Sequence, residues 1–264
     1  MSTPLSSLAG ELGRIAHDAG RLILKHYADV SEVRTKTDSS PVTKADEEAE
    51  ALILDRLAKL EPGVPVIAEE SVAKGHVPTP GERFFLVDPL DGTKEFLQKN
   101  GEFTVNIALI EQGRPVAGVV IAPAKARAFV GDGKNGAFEL AAPEDLPLEI
   151  ANAQRIRARK PPSSGLVAVV SRTHRDAKTE QYLAAYPVFS MVAAGSSLKF
   201  CLVATGEADL YPRHGTTMEW DTAAGQAVLE AAGGSVTTLE GVPLIYGKIA
   251  RGFGNPYFVA RGLS

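Results

Sequence analysis

The chain has 264 residues, 44% hydrophobic and 23% charged, with a formal net charge of −4. That balance is the one expected of a globular protein, and it excludes a basic surface as the main means of recognising nucleic acid. The single cysteine, Cys201, leaves no intrachain disulfide, and no run reaches the ~18 apolar residues of a membrane span.

The opening MSTPLSSLAGELGR lacks the basic start and apolar centre of a signal peptide. A cytoplasmic protein is expected, with peripheral attachment at the inner membrane as the alternative. Leu5, Leu8, Leu12, Ile15, Ala19 and Leu22 recur at spacings of three and four, which predicts a helix over 5–27. A second helix is expected over 43–60, with Ala49, Leu52, Ile53, Leu57 and Leu60 on one side and EPGVP as its stop. VPVIAEE reads as a short strand running into Glu69 and Glu70, and 71–82 as a loop. RFFLVDP is the next strand, FTVNIALIEQGRPVAGVVIAP a strand pair, and RAFVGDGKNGAFEL a hairpin.

Residues 142–164 are poor in large apolar side chains and carry Pro143, Pro147, Pro161 and Pro162. They mark a boundary between a 1–145 α+β domain bearing acidic motifs and a 146–264 α/β domain. In the second half GLVAVVS, PVFSMVAA and ADLYP read as strands, alternating with helices over 176–186, 196–205 and 222–232. Cys201, in LKFCLVA, reads as a buried structural thiol.

Five acids fall at ends of these elements: Glu69, Glu70, Asp88, Asp91 and Asp221. Clustered carboxylates raise one another's pKa unless a cation neutralises them. Hard oxygen ligands without His or Cys favour Mg²⁺, with Mn²⁺ and Ca²⁺ as alternatives. In DPLDGT the proline stiffens the turn, Gly92 permits close backbone approach, and the Thr93 hydroxyl can hold a water. Taken singly, DPLDG is also a plain turn and Asp221 a plain N-cap; their occurrence together is the specific signal. GSSLK opens a predicted helix whose first amides suit a phosphate, and Lys199 and Arg213 add cations, the latter able to bind phosphate bidentately.

AEES (68–71), DPLDGTKEF (88–96) and WDTAAGQAVLEAAGG (220–234), with SSPVTKAD (39–46) and AAGSSLKFCLVATGEADLYPR (193–213), resemble the signatures of the inositol monophosphatase superfamily. The likeness covers nearly the whole chain and implies that family's αβαβα layered sandwich. Inositol phosphatases usually read DPxDGTxNF, whereas this chain has Lys94 and Glu95 after the threonine, which resembles the branch of 3'(2'),5'-bisphosphate nucleotidases. His214 stands where many inositol phosphatases carry a glutamate that holds inositol.

The resemblance implies two or three Mg²⁺ ions on Glu69, Asp88, the Leu90 carbonyl, Asp91 and Asp221, with Li⁺ and Ca²⁺ as inhibitors. It implies Glu69, Asp91 and Thr93 in catalysis, and Lys36, Asp46 and Glu70 behind the ligands. Gly92, Thr93, His174, Ser196, Lys199, Arg213 and Asp221 would contact the substrate. The implied substrate is adenosine 3',5'-bisphosphate, a by-product of sulfate assimilation, cleaved to AMP and phosphate. The alternatives are an inositol or fructose-1,6-bisphosphate phosphatase and, in another class, a non-catalytic metal or nucleotide sensor. Monomer and homodimer both remain open.

Overall fold

The structure, a computed structural model, describes residues 5–28, 33–35, 41–133, 135–172 and 176–263. Helix α1 (Ser7–Ala28) buries Leu12, Ile15, Ala19 and Ile23 along one stripe, the spacing that a 3.6-residue period demands of a helix packed on one side. A short ribbon, β1 (Val33–Thr35) with β2 (Pro41–Thr43), leads into α2 (Lys44–Leu60). Ala45, Ala49, Ile53 and Leu57 form the buried stripe of α2. The amide and the hydroxyl of Thr43 both donate to Asp46 Oδ2 at 2.7 Å, closing the open start of this helix.

Next come β3 (Val66–Ala68), α3 (Glu69–Ala73), β4 (Arg83–Asp91) and α4 (Thr93–Leu97). A meander follows: β5 (Thr104–Glu111), β6 (Arg114–Ala122), β7 (Arg127–Asp132), β8 (Gly136–Ala141) and β9 (Gln154–Ile156). Strands β3 to β9 form one seven-stranded sheet in sequence order, with β3 parallel to β4 and every later neighbour antiparallel. The alternation of β5 and its neighbours sorts the two faces. Val87, Val105, Ile107, Val119 and Ile121 pack toward α1 and α2, while Phe84, Leu86, Ala108, Ile110 and Phe129 pack on the other side.

The remaining elements are β10 (Leu166–Ser171), α5 (Ala177–Leu183), β11 (Val188–Ala194), α6 (Leu198–Ala204), β12 (Leu210–Arg213), α7 (Ala223–Ala231), β13 (Ser235–Thr238) and β14 (Phe258–Arg261). The second sheet has the order β11-β10-β12-β14-β13; β10 is parallel to β11 and β12, and β14 is antiparallel to β12 and β13. Phe200 of α6 and Val228 of α7 share the inter-sheet core with Tyr211, Phe258 and Ala260, whereas Leu166, Val170, Leu210 and Val259 face Leu183 of α5. The layers are therefore α1/α2, seven strands, α6/α7, five strands and α5, the sandwich expected from the sequence. Helix α7 lies hard against the first sheet: a Cβ on Gly131 would come within 2.5 Å of the Ala227 carbonyl oxygen.

Several details differ from the sequence reading. Glu69 and Glu70 open a short helix rather than ending a strand, because the amide of Glu70 and the hydroxyl of Ser71 are taken by the buried Glu50 carboxylate (2.8 and 2.7 Å). The helix expected over 196–205 begins only at Leu198, since Ser196 turns left-handed at φ 50°. Strands β13 and β14 add an antiparallel edge to what reads as pure α/β order. The first sheet runs on to Ile156, past residue 145, and both halves of the chain contribute to one core.

Candidate active site

The site begins with a bulge. Asp88 and Asp91 are three apart, so a regular strand would point them to opposite faces. The pairing of β4 with β5 matches Asp88 with Asn106 and Asp91 with Thr104, three residues against two. That extra residue returns Asp91 to the face of Asp88, toward α6 and α7. Gly92 follows at φ 91°, and a Cβ there would lie 2.2 Å from Ser196 Oγ, so only glycine fits. Asp88 is buried, and its Oδ1 accepts the Leu90 amide at 3.0 Å.

Glu69 from α3, Asp91 from β4 and Asp221, just before α7, line one cavity of about 250 Å³ together with Gly92, Thr93, Ser196, Lys199 and Arg213. Ser197 joins the parts. Its amide donates to Asp91 Oδ2 at 2.7 Å, its hydroxyl donates to the Asp221 carbonyl at 2.7 Å, and Asn106 Nδ2 donates to that hydroxyl at 3.0 Å. Met218 N donates to Asp221 Oδ2 at 2.7 Å. Burial, then the negative charges of Asp91 and Glu69, push the Asp221 carboxyl well above the ordinary range. Burial also raises Asp91, against the attraction of Lys199.

Thr93 opens α4 inside the cavity. Its hydroxyl lies 3.3 Å from Asp46 Oδ1 and 3.4 Å from the Leu90 carbonyl oxygen, with one hydrogen to give to either. Asp46 thus divides its oxygens, one closing the start of α2 and one facing Thr93. Glu70 is buried, with its amide on Glu50.

The basic set comes from the second half of the chain. Lys199, on α6, is buried, and its Nζ donates to the Ser196 carbonyl at 2.6 Å. Burial lowers its pKa to about 8, although Asp91 pulls the other way. Arg213, at the end of β12, donates from Nη2 to the Thr216 carbonyl at 3.3 Å, while its buried Nε has no hydrogen-bond partner among the described residues. An unpartnered guanidinium N–H in a cavity suits an anion. The Ser196 hydroxyl lies 2.8 Å from the Asp91 carbonyl and 2.7 Å from the Glu102 carbonyl, so it is engaged by backbone although Ser196 lines the cavity. The Ser197 amide is likewise spent on Asp91, which removes one of the helix-start donors that the sequence offered to a phosphate. Lys36 and His174 lie outside the described residues. His214 is buried, with Nδ1 3.1 Å from Thr179 Oγ1.

Among the described residues, no three His, Cys, Asp or Glu side chains are gathered tightly enough to form a metal cage unaided. The acids turn instead to amides: Asp88 to Leu90, Asp91 to Ser197 and Asp221 to Met218. Their chemistry still fits a hard divalent cation. The cavity lining holds carboxylates and hydroxyls with no His or Cys, and the mutual repulsion that raises Asp221 is what a cation relieves. A larger cavity of about 650 Å³, lined by Val242, Leu244, Ile245 and Pro256 among others, carries no acid and is not comparable. Sequence reasoning missed Glu50, Asn106 and Ser197. Only SSPVTKADEEAE hinted at the first, as an i+4 neighbour of Asp46 on one helix face.

The inositol monophosphatase family profile matches residues 6–259. The chain is 44% identical over 236 residues to the 3'(2'),5'-bisphosphate nucleotidase CysQ of Escherichia coli strain K12, spanning 88% of this chain and 91% of that protein. It is 39% identical to the protein of the same name from Buchnera aphidicola, spanning 95% and 92%. Among solved structures, CysQ from Bacteroides thetaiotaomicron superposes with a TM-score of 0.82 at 37% identity, covering 98% of each chain. An IMPase from Thermotoga maritima gives 0.77 at 25% identity, covering 97% of this chain and 92% of that one. With its five layers, its bulged acidic strand and these relatives, the chain belongs to the inositol monophosphatase family.

Proposed function

We propose that the protein is a 3'(2'),5'-bisphosphate nucleotidase that removes the 3'-phosphate of adenosine 3',5'-bisphosphate, giving AMP and phosphate. The observation that carries this reading is one cavity in which Glu69, Asp91 and Asp221 meet a buried Lys199 and an Arg213 with an unpartnered Nε. A substrate with two phosphates answers both sets at once: one for transfer, one for recognition. The 44% identity to an enzyme named for that activity supports the same choice.

In this reading Glu69, Asp88, Asp91, Asp221 and the Leu90 carbonyl hold Mg²⁺, which supplies positive charge against the transferring phosphoryl group and its leaving oxygen. Thr93 orients the attacking water. Asp46, 3.3 Å away, accepts the threonine hydrogen and frees the hydroxyl lone pairs to take one from the water. Glu69 lines the same cavity and can accept the second hydrogen. Lys199 and Arg213 receive the 5'-phosphate, Arg213 through a planar fork and Lys199 as a point charge. Gly92 lets the backbone approach the substrate. Lys36 and His174 are assigned by likeness alone, near the third ion and the nucleoside respectively. No helix among the described residues is long and apolar enough to cross a membrane, and we place the enzyme in the cytoplasm, free or peripheral at the inner membrane.

The test compares Mg²⁺-dependent phosphate release from adenosine 3',5'-bisphosphate, inositol 1-phosphate and fructose 1,6-bisphosphate under one set of conditions. The highest kcat/KM is expected for the nucleotide. A preference for either other substrate would refute the assignment.

A further inference from the structure

One acid outside the cavity lining ties the two sets together. Glu102 lies between α4 and β5, and its side chain is only 12% exposed. Its carboxylate receives Arg172 Nε at 2.8 Å and Nη2 at 2.9 Å, and the Gly195 amide at 2.9 Å. The Glu102 carbonyl lies 2.7 Å from Ser196 Oγ, and the Glu102 amide donates to Asn100 Oδ1 at 2.9 Å. Arg172 Nη2 also donates to the Ala193 carbonyl at 2.8 Å. The fit is close, since a Cβ on Gly195 would sit 2.7 Å from the Glu102 carbonyl oxygen. Burial alone would push the Glu102 carboxyl up, yet the Arg172 guanidinium holds it below the ordinary carboxylate range.

Three segments thus meet on one carboxylate: the turn after α4, the end of β10, and the connection from β11 to α6. That connection carries Ser197, whose amide holds Asp91, and Ser196, whose carbonyl holds Lys199. Its placement therefore sets the spacing between the acid that faces the reacting phosphate and the cation that faces the other one. Neither Glu102 nor Arg172 lines the cavity.

We propose that Glu102, clamped by Arg172, is a positioning residue that sets discrimination for the second phosphate of the substrate. The inference rests on the nucleotidase reading. A bisphosphate must satisfy both sets at one fixed spacing, whereas a 3'-monophosphate engages only the acidic set. Loosening the connection therefore penalises the first substrate and spares the second.

The experiment measures kcat and KM of Glu102→Gln on adenosine 3',5'-bisphosphate and on adenosine 3'-monophosphate. For the bisphosphate, kcat/KM is expected to fall about tenfold, mainly through KM, with the monophosphate within about twofold. Arg172→Gln should reproduce this split, and the double variant should be no worse than either single one. Equal losses on both substrates, or no loss, would overturn the proposal. If the wild-type enzyme itself shows no preference for the bisphosphate, the nucleotidase reading falls. Amide hydrogen exchange across 195–199 then decides the clamp: faster exchange in Glu102→Gln supports it, and unchanged exchange removes it.

Discussion

The acidic and basic sets of the cavity are built by opposite means. Glu69, Asp91 and Asp221 come from three separate segments, α3, the end of β4 and the turn before α7, and repel one another. Lys199 and Arg213 sit on α6 and β12, within one longer stretch, AAGSSLKFCLVATGEADLYPR, and Lys199 is buried almost completely. Both sets nonetheless carry the same stress: burial raises Asp221 and lowers Lys199, so each disfavours its own charge. In the nucleotidase reading the two sets serve opposite ligands, and each should be breakable without the other.

The largest effect is expected at Asp91. Asp91→Asn should lower phosphate release at least ~10³-fold, with an unchanged circular dichroism spectrum; an active, folded variant would end the mechanism. Lys199→Met should cut kcat/KM for the bisphosphate about 100-fold through KM, and leave adenosine 3'-monophosphate nearly untouched. Equal damage to both substrates would mean that the sets are not separable.

The same lysine gives a pH signature. Its pKa of about 8 means that it loses its charge above that pH, so kcat/KM for the bisphosphate should fall up to ~10-fold per unit beyond it. The monophosphate should lack this limb, and Lys199→Arg should remove it. The stability consequence has the opposite sign. Between about 8 and the ordinary 10.5 the unfolded chain binds the extra proton, so stability should rise with pH across that window. A flat urea-midpoint profile over this range would contradict the burial of Lys199.

The smallest effect concerns the acids without a ligand. Mg²⁺ should raise the melting temperature by about 5 °C, and Asp221→Asn should abolish that increment. Without divalent cation the same variant should be at least as stable as wild type, because it removes repulsion. A metal-free variant that melts well below wild type would show that Asp221 serves the fold first.

Much of the site was legible because its residues are local. DPLDGT brings two acids and a hydroxyl within six positions, and the glycine and proline declare a turn. What sequence alone could not supply is the bulge that returns Asp91 to the face of Asp88, since this depends on how β4 registers against β5. Ser196 read as a substrate contact, but its hydroxyl is held by two carbonyls from segments about a hundred residues away. The Glu102–Arg172 pair spans 70 positions and leaves no periodic trace. Strands β13 and β14 are four residues each, too short for alternation to stand out. The long helix α1 and the strands of the meander were readable because each repeats its period several times.

Asp46 has a consequence for heat. One of its oxygens closes the start of α2 and the other faces Thr93. Helix ends fray before helices melt, so warming should release the first turn of α2 while the sandwich is still intact. Thr93 would then lose the acceptor of its hydrogen. Activity should therefore fade reversibly at temperatures where the far-ultraviolet signal has not yet moved, and recover on cooling.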